Sequence, residues 1–415
     1  MEKLVKNKNK RFLPVLLGTD ANAYGMARNF HQAYGIKSLA LGKIPLLETR
    51  HSKIVQVQTY EGFDTDEVFR EVLTNIADTY RPIYDNLILI ACGDRYTELI
   101  CSHKDWLSDY FIVPYIDLEL KNRLENKEEF YNICEEYGLD YPATVMLHKD
   151  DKPPFDLPFD YPIAVKASDS IEYVDLDFPG KKKAYKANSP AELEQIFSDI
   201  YGAGYTGTLI VQDFIPGDDA TMYVLNSYSD ANGKVQAMCL GHCVLEDYTP
   251  AGIGNYNAII QEGIQEVYDK YKAFLEAIGF VGFSNFDIKY DERDGRYKVF
   301  EINIRQGRSS FFTTVSGCNL VTYLVNDRIV HRQKPEVHYH NAPALWLHVP
   351  TRLVLEYAPE RVLPQIRRMM SAKKTDCTLL YDQDMTPYRR VMINRFYYQQ
   401  WKRYEDWFNK RSISD

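Results

Sequence analysis

The chain has 415 residues, 45% of them hydrophobic, enough to bury the cores of two or three domains or lobes. A formal charge of −9 argues against a general nucleic-acid binder, which would present a basic surface. Seven cysteines without a CxxC pair suit a reducing cytoplasm, and no run approaches the roughly 18 apolar residues of a membrane span. From the N-terminus, the basic stretch before the first strand reads as a disordered tail. A buried strand, Phe12–Gly18, follows, then a helix over "AYGMARNFHQAYG", strands over "SLALG" and "IVQVQTY", and a helix with a capping-box-like start at Thr65. The apolar run "NLILIACGD" closes the series at Gly93-Asp94. Strands alternating with helices predict a Rossmann-like parallel α/β domain over residues 1–116. Ligands in such sheets bind beyond the carboxyl ends of the strands, where Gly18-Thr19-Asp20 and Gly93-Asp94 stand.

Further along, "NKEEFYNICEEYG" is an amphipathic helix, and "YPIAVKAS" and "GTLIVQDF" are strands. "MYVLNSYSDANGKVQAMCLGHCVL" is a hairpin turning at Asn232-Gly233. "EGIQEVYDKYKAFLEAIGF" is a helix, and "VGFSNFDIKYDERDGRYKVFEINIRQG" is two strands joined at Asp294-Gly295. Residues 326–415 read as a mostly helical, basic and aromatic extension. The "CLGHC" stretch around His242 lacks the second ligand pair of a zinc site.

The densest chemistry lies on the last hairpin. Glu301, Asn303 and Arg305 alternate with Phe300, Ile302 and Ile304, so one strand face is polar and the other is core. A two-residue Asp294-Gly295 loop would put Asp287 and Glu301 on opposite faces. A three-residue Arg293-Asp294-Gly295 loop with a left-handed Gly295 sets them across from each other, and that loop is expected. Two facing carboxylates repel unless a cation joins them, and with Asn303 they offer the oxygen ligands of a hard cation such as Mg²⁺. Lys166 ends an apolar strand, either snorkelling or aimed at phosphate. Ser168-Asp169-Ser170 and "DFPGKKKAY" are loops able to close over phosphates. In "VQDFIPGDD", Phe214 and Ile215 offer an adenine slot, with Asp219 one turn on for ribose hydroxyls.

The order of these parts resembles the ATP-grasp superfamily: a helix with Lys127, a strand with Lys166, a small-residue loop, "QDFIPGDD", then "FDIKY" and "FEINIRQG". The resemblance implies an ATP-grasp fold, two α+β subdomains clasping ATP, over residues 117–325. Its small lobe spans about 117–211 and its large lobe about 212–325. It implies phosphate contacts from Lys127, Lys166 and Arg305, an adenine hinge at Gln212, Asp213, Phe214 and Ile215, and ribose at Asp219. It implies metal ligation by Asp287, Glu301 and Asn303, with Mg²⁺ or Mn²⁺ as the ion. Many relatives carry Glu at the position of Gln212 and Arg at that of Asn285. Across nearly the whole chain, "LLGTDANAYGMARNFHQAYG", "QDFIPGDD" and "FEINIRQGRSSFF" are similar to the D-aspartate ligases of Gram-positive cell-wall synthesis. That likeness implies a cytoplasmic ADP-forming ligase acting through an acyl-phosphate. It would join the β-carboxylate of D-aspartate to the lysine ε-amine of UDP-MurNAc-pentapeptide in peptidoglycan cross-bridge synthesis. Arg308, Ser309 and Ser310 are expected at a substrate carboxylate, Arg305, Lys166 and Arg308 at the reacting groups. His242 is expected to be structural or to orient substrate, or, with Glu246 and Asp247 as alternatives, to deprotonate the amine. A ligase for another amino acid or a dipeptide-type product, and a non-catalytic nucleotide-binding scaffold, are the rival readings. The C-terminal extension is either a packing helix with a solvated basic face or a peripheral contact with anionic lipid.

Overall fold

The computed structural model describes residues 11–168, 172–173, 175–249, 252–334 and 336–408. The basic tail at residues 1–10, and Asp169 and Ser170 of the small-residue loop, lie outside the described residues. The first sheet holds β1 (Phe12–Leu17), β2 (Ser38–Gly42), β3 (Val55–Thr59) and β4 (Asn86–Ala91), all parallel in the order β3-β2-β1-β4. Every residue of β1 and β2 is buried, as parallel strands covered by helices on both faces require. Asp20 caps the Ala21–Tyr34 helix by accepting from the Ala23 amide at 3.1 Å. Thr65 stands at the next N-cap but forms no capping box, because its hydroxyl donates to the Gly62 carbonyl at 2.7 Å.

The second sheet is antiparallel, with β5 (Thr144–Leu147), β6 (Ile163–Ala167), β7 (Tyr185–Ala187) and β8 (Leu209–Asp213) in the order β5-β8-β6-β7. The Pro190–Gly202 helix packs Leu193 and Ile200 against Ile163, Val165 and Val211 to form its core. The third and largest sheet holds β9 (Met222–Ser229), β10 (Val235–Glu246), β11 (Tyr256–Gln261), β12 (Gly282–Asp291), β13 (Arg296–Asn303), β14 (His338–Tyr339), β15 (Leu345–Leu347) and β16 (Thr375–Cys377). Its order is β13-β12-β9-β10-β11-β15-β16, with β14 on β10. The C-terminal region is therefore not purely an appended helical layer. Its helices Thr351–Tyr357, Leu363–Ser371 and Pro387–Trp407 alternate with three short strands, and β15 extends the sheet beside β11 with Trp346 fully buried.

The β12–β13 hairpin pairs Asp287 with Glu301 and Asn285 with Asn303, as expected, but by another route. Toward the tip the register is one residue different, with Ile288 opposite Val299 and Asp291 opposite Arg296. The loop thus has four residues, Glu292 to Gly295, with Gly295 left-handed at φ +73°. The extra residue sits as a bulge at Phe300, inside the strand, rather than in the turn. Phe300 is consequently not a core anchor. It lines the cavity, while Ile302 and Ile304 are buried as the alternation requires.

The C-terminal helix is tied to the loop between β2 and β3 by a buried charge network. Arg389 donates to the Arg50 carbonyl at 2.8 Å and the Glu48 carbonyl at 3.1 Å, and its Nε lies 3.4 Å from Asp384. Asp384 also accepts from Tyr24 and Ser52, each at 2.8 Å. Removing one partner of a buried pair leaves the other uncompensated. Asp384→Ala is expected to cost about 3–5 kcal/mol, seen as a lower denaturation midpoint; a midpoint matching wild type would mean the helix is not anchored there.

Candidate active site

The three sheets meet at a cavity of about 650 Å³, within the range of nucleotide and small-molecule sites. The first sheet contributes Asp20, Asn22, Cys92, Gly93 and Asp94 from beyond the carboxyl ends of β1 and β4. The second contributes Lys166 from β6 and Gln212 to Ile215 from the end of β8. The third contributes Asp287, Lys289, Glu301, Asn303, Arg305, Arg308 and Ser309.

At the centre, Asp287 faces Glu301 across the hairpin. Burial, and then the Glu301 charge, raise the proton affinity of Asp287. Glu301 moves the other way, held low first by Lys127, whose Nζ lies 2.9 Å from its Oε2. The Asn303 amide reaches Asn285 at 3.0 Å and Asp287 at 3.4 Å. Two carboxylates and an amide on one face fit a hard cation that takes its remaining ligands from phosphate and water. Among the described residues no cluster of three or more His, Cys, Asp or Glu side chains offers an all-protein cage.

Lys166 Nζ lies 5.9 Å from the centre of the Phe300 ring, and burial, with Lys127 as the next cause, pushes its pKa down to about 8. The Gln212 amide donates to the Tyr131 hydroxyl and to Thr144 Oγ1, both at 2.9 Å, which fixes the end of β8. Arg293 clamps Asp213 with bonds of 3.0 and 2.6 Å. The Phe214 ring lies 4.7 Å from Lys186 Nζ and 5.7 Å from Lys289 Nζ. Arg305 reaches the segment after β4 and meets Asp94 at 2.6 Å. Arg308 is held by the Tyr256 carbonyl at 2.8 Å and Asn257 Oδ1 at 3.0 Å.

Lys127, Asp219, His242 and Ser310 do not line this cavity, and neither does Asp247. Lys127 reaches it only through Glu301. Asp219 is buried, and its carboxylate is taken by the Glu246 amide at 2.8 Å and the Tyr248 hydroxyl. His242 is stacked on Tyr223, with Nε2 at 2.8 Å from the Ala220 carbonyl and Nδ1 at 3.1 Å from Glu262. Ser310 bonds Asn226 and the Gly307 amide, as a loop brace. Conversely, Glu246 lines the cavity, its pKa pushed up to about 8 by burial and then by the neighbouring Asp219. Lys183 also lines it, from a lysine run that reads more readily as a solvated tip.

No protein-family model matches the chain. The chain is 44% identical over 412 residues to a D-aspartate ligase from Enterococcus faecium (strain Aus0004), covering 97% of this chain and 98% of that one. The chain belongs to the D-aspartate ligase family. Among solved structures, the L-amino acid ligase from Bacillus licheniformis matches with a TM-score of 0.55 at 14% identity, over 77% of this chain and 75% of that one. The biotin carboxylase domain of the Hydrogenobacter thermophilus 2-oxoglutarate carboxylase, in complex with MgADP, ADP and bicarbonate, matches with a TM-score of 0.58 at 13% identity, over 80% and 72%. These likenesses identify the fold as ATP-grasp, and the D-aspartate ligase relative makes this chain a ligase. Among the described residues no helix is long and apolar enough to cross a membrane.

Lys166 gives this site a pH signature. A phosphate bound near it favours the protonated amine, whereas the free protein loses that proton through about pH 8. The dissociation constant for nucleotide is therefore expected to rise about tenfold from pH 7 to pH 9. Calorimetric titration checks this; Lys166→Arg should flatten the dependence, and a flat wild-type profile would contradict it.

Proposed function

We propose that the cavity activates the β-carboxylate of D-aspartate with ATP and passes the acyl group to the lysine ε-amine of UDP-MurNAc-pentapeptide. The observation that carries this reading is near-full-length membership of the D-aspartate ligase family, joined to a cavity holding both a facing acid pair and two guanidiniums. ATP and the nucleotide-linked acceptor assign the reaction to the cytoplasm, within peptidoglycan cross-bridge synthesis. In this reading residues 1–116 form the N-terminal domain, 117–325 the ATP-grasp unit and 326–415 the extension. Exposed Tyr388, Val391 and Tyr398, with Arg395 and Lys402, give the last helix the composition of a peripheral membrane contact.

A carboxylate is a poor acyl donor because oxide is a poor leaving group; phosphorylation replaces that leaving group with phosphate. Nucleophile and γ-phosphate are both anions, so the protein must screen their approach. Lys166 and Arg305 do so as positive groups lining the cavity. Mg²⁺, or Mn²⁺ in its place, held by Asp287, Glu301 and Asn303, would supply further charge on the phosphate oxygens. Lys127 acts indirectly, by keeping Glu301 ionised. Gln212 and Asp213 fix the hinge, and Phe214 and Ile215 flank the adenine. Glu246, at the Phe214 and Lys289 end, takes the ribose hydroxyls in place of the inward-turned Asp219. Arg308 and Ser309 face the donor acid.

The test is hydroxylamine trapping across a panel of amino acids with ATP and Mg²⁺. D-aspartyl hydroxamate with equimolar ADP is expected, and hydroxamate only from another acid would sink the substrate assignment. Glu301→Ala should lower turnover by about 10³-fold with the fold retained, a loss on the scale of removing a transition-state charge partner. Unchanged turnover would favour a scaffold without catalysis.

A further inference from the structure

One end of the cavity carries opposite charges that do not neutralise each other. Asp20 stands beyond β1 and lines the cavity. One of its oxygens, Oδ1, accepts the Ala23 amide as a helix cap. Arg305 and Arg308, from the segment that follows β13, line the same cavity, and the charge of each acts on Asp20. Arg305 is committed to Asp94 at 2.6 Å. Arg308 spends Nη2 on Tyr256 and Asn257, and its nearest acid is Asp247, at 4.0 Å. Among the described residues no ion pair joins Asp20 to either guanidinium, although both are close enough to favour its ionised form. Burial works against that, so the Asp20 carboxyl is raised overall and lacks a full counter-charge.

An acid and a guanidinium held apart across a sheltered space suit a ligand that carries both complementary charges. An α-amino acid does so, with an ammonium on the carbon next to its carboxylate. We infer that Asp20 binds the ammonium of the donor amino acid while Arg308 takes the carboxylate that is not phosphorylated. This rests on the carboxylate-activating reading above and adds to it the residue that selects an amino acid over a plain dicarboxylate. Helix capping alone would explain Asp20 equally well at the Ala23 amide, but it leaves the cavity-facing charge without a purpose. Asparagine caps helices as well as aspartate does. Asp20→Asn therefore removes the charge and keeps the cap.

The experiment compares wild type and Asp20→Asn in the hydroxamate assay, using D-aspartate as substrate and succinate, the same dicarboxylate without the amine, as competitor. The variant is expected to raise the KM for D-aspartate by about 10- to 100-fold, the scale of a lost charge-assisted hydrogen bond. The KM for ATP and the inhibition constant of succinate should stay within about threefold, a ratio that a general distortion of the site would not produce. Asp20→Ser, which also caps, should behave the same and guards against misfolding of the first variant. An unchanged KM for D-aspartate, or equal weakening of D-aspartate and succinate, would overturn the inference. If wild type makes no D-aspartyl hydroxamate, the substrate assignment has failed instead. The same comparison on the acid that is activated, against its deaminated analogue, then decides the role of Asp20.

Discussion

Two carboxylates held face to face on neighbouring strands are the constraint around which this cavity is organised. Asp287 and Glu301 repel each other, and a sheet ordinarily avoids such a pair. The protein keeps them by dividing their environments. Lys127, at the start of the Lys127–Glu136 helix, holds Glu301 ionised, whereas Asp287 is half-buried and accepts a hydrogen bond from Tyr256 at 3.1 Å. The bulge at Phe300 makes the arrangement possible, since the register at the hairpin tip would set the two acids on opposite faces. The same bulge turns an aromatic ring into the cavity beside Lys166. One inserted residue thus fixes both the acid pair and the wall next to it.

The strand that carries Glu301 also ties the third sheet to the first. Beyond Asn303, Arg305 meets Asp94, and the Gln306 amide donates to the Ala91 carbonyl at 2.9 Å. Asn22 answers from the first sheet, donating to the carbonyls of Gln306 at 3.0 Å and Cys92 at 3.2 Å. Acid pair, guanidiniums and N-terminal loops are therefore positioned by a single continuous segment, residues 301 to 308. Placing catalytic groups on strands and braced loops restricts their freedom before any substrate arrives, which lowers the entropic cost of aligning two reactants.

Much of this was legible in the sequence where a local pattern carried it. Continuous apolar runs marked the parallel strands, and alternation in "VFEINIR" marked the polar wall. Gly295 marked the hairpin turn, though its neighbours could not reveal where the extra residue would go. A bulge at Phe300 and a three-residue loop satisfy the same face requirement, and tertiary packing chose between them. That Lys127, Asp219, His242 and Ser310 stand off the cavity wall was not legible in the sequence, for a common reason. Residue type and order do not report side-chain direction, and partners distant in sequence, such as Glu301 and Tyr248, decide it. Asp20 was noticeable only as a strand-end residue; Arg308, whose charge acts on it, lies far along the chain. The strands at Leu345–Leu347 and Thr375–Cys377 were hidden by strong helical patterns around them.

If a carboxylate attacks the γ-phosphate in this cavity, one carboxylate oxygen leaves with the phosphate. D-aspartate labelled with ¹⁸O in its β-carboxylate, turned over with ATP and the pentapeptide acceptor, tests this directly by the isotope shift of the released phosphate in ³¹P NMR. One ¹⁸O atom transferred per product formed is the predicted result. Product formation with unlabelled phosphate would contradict the acyl-phosphate route.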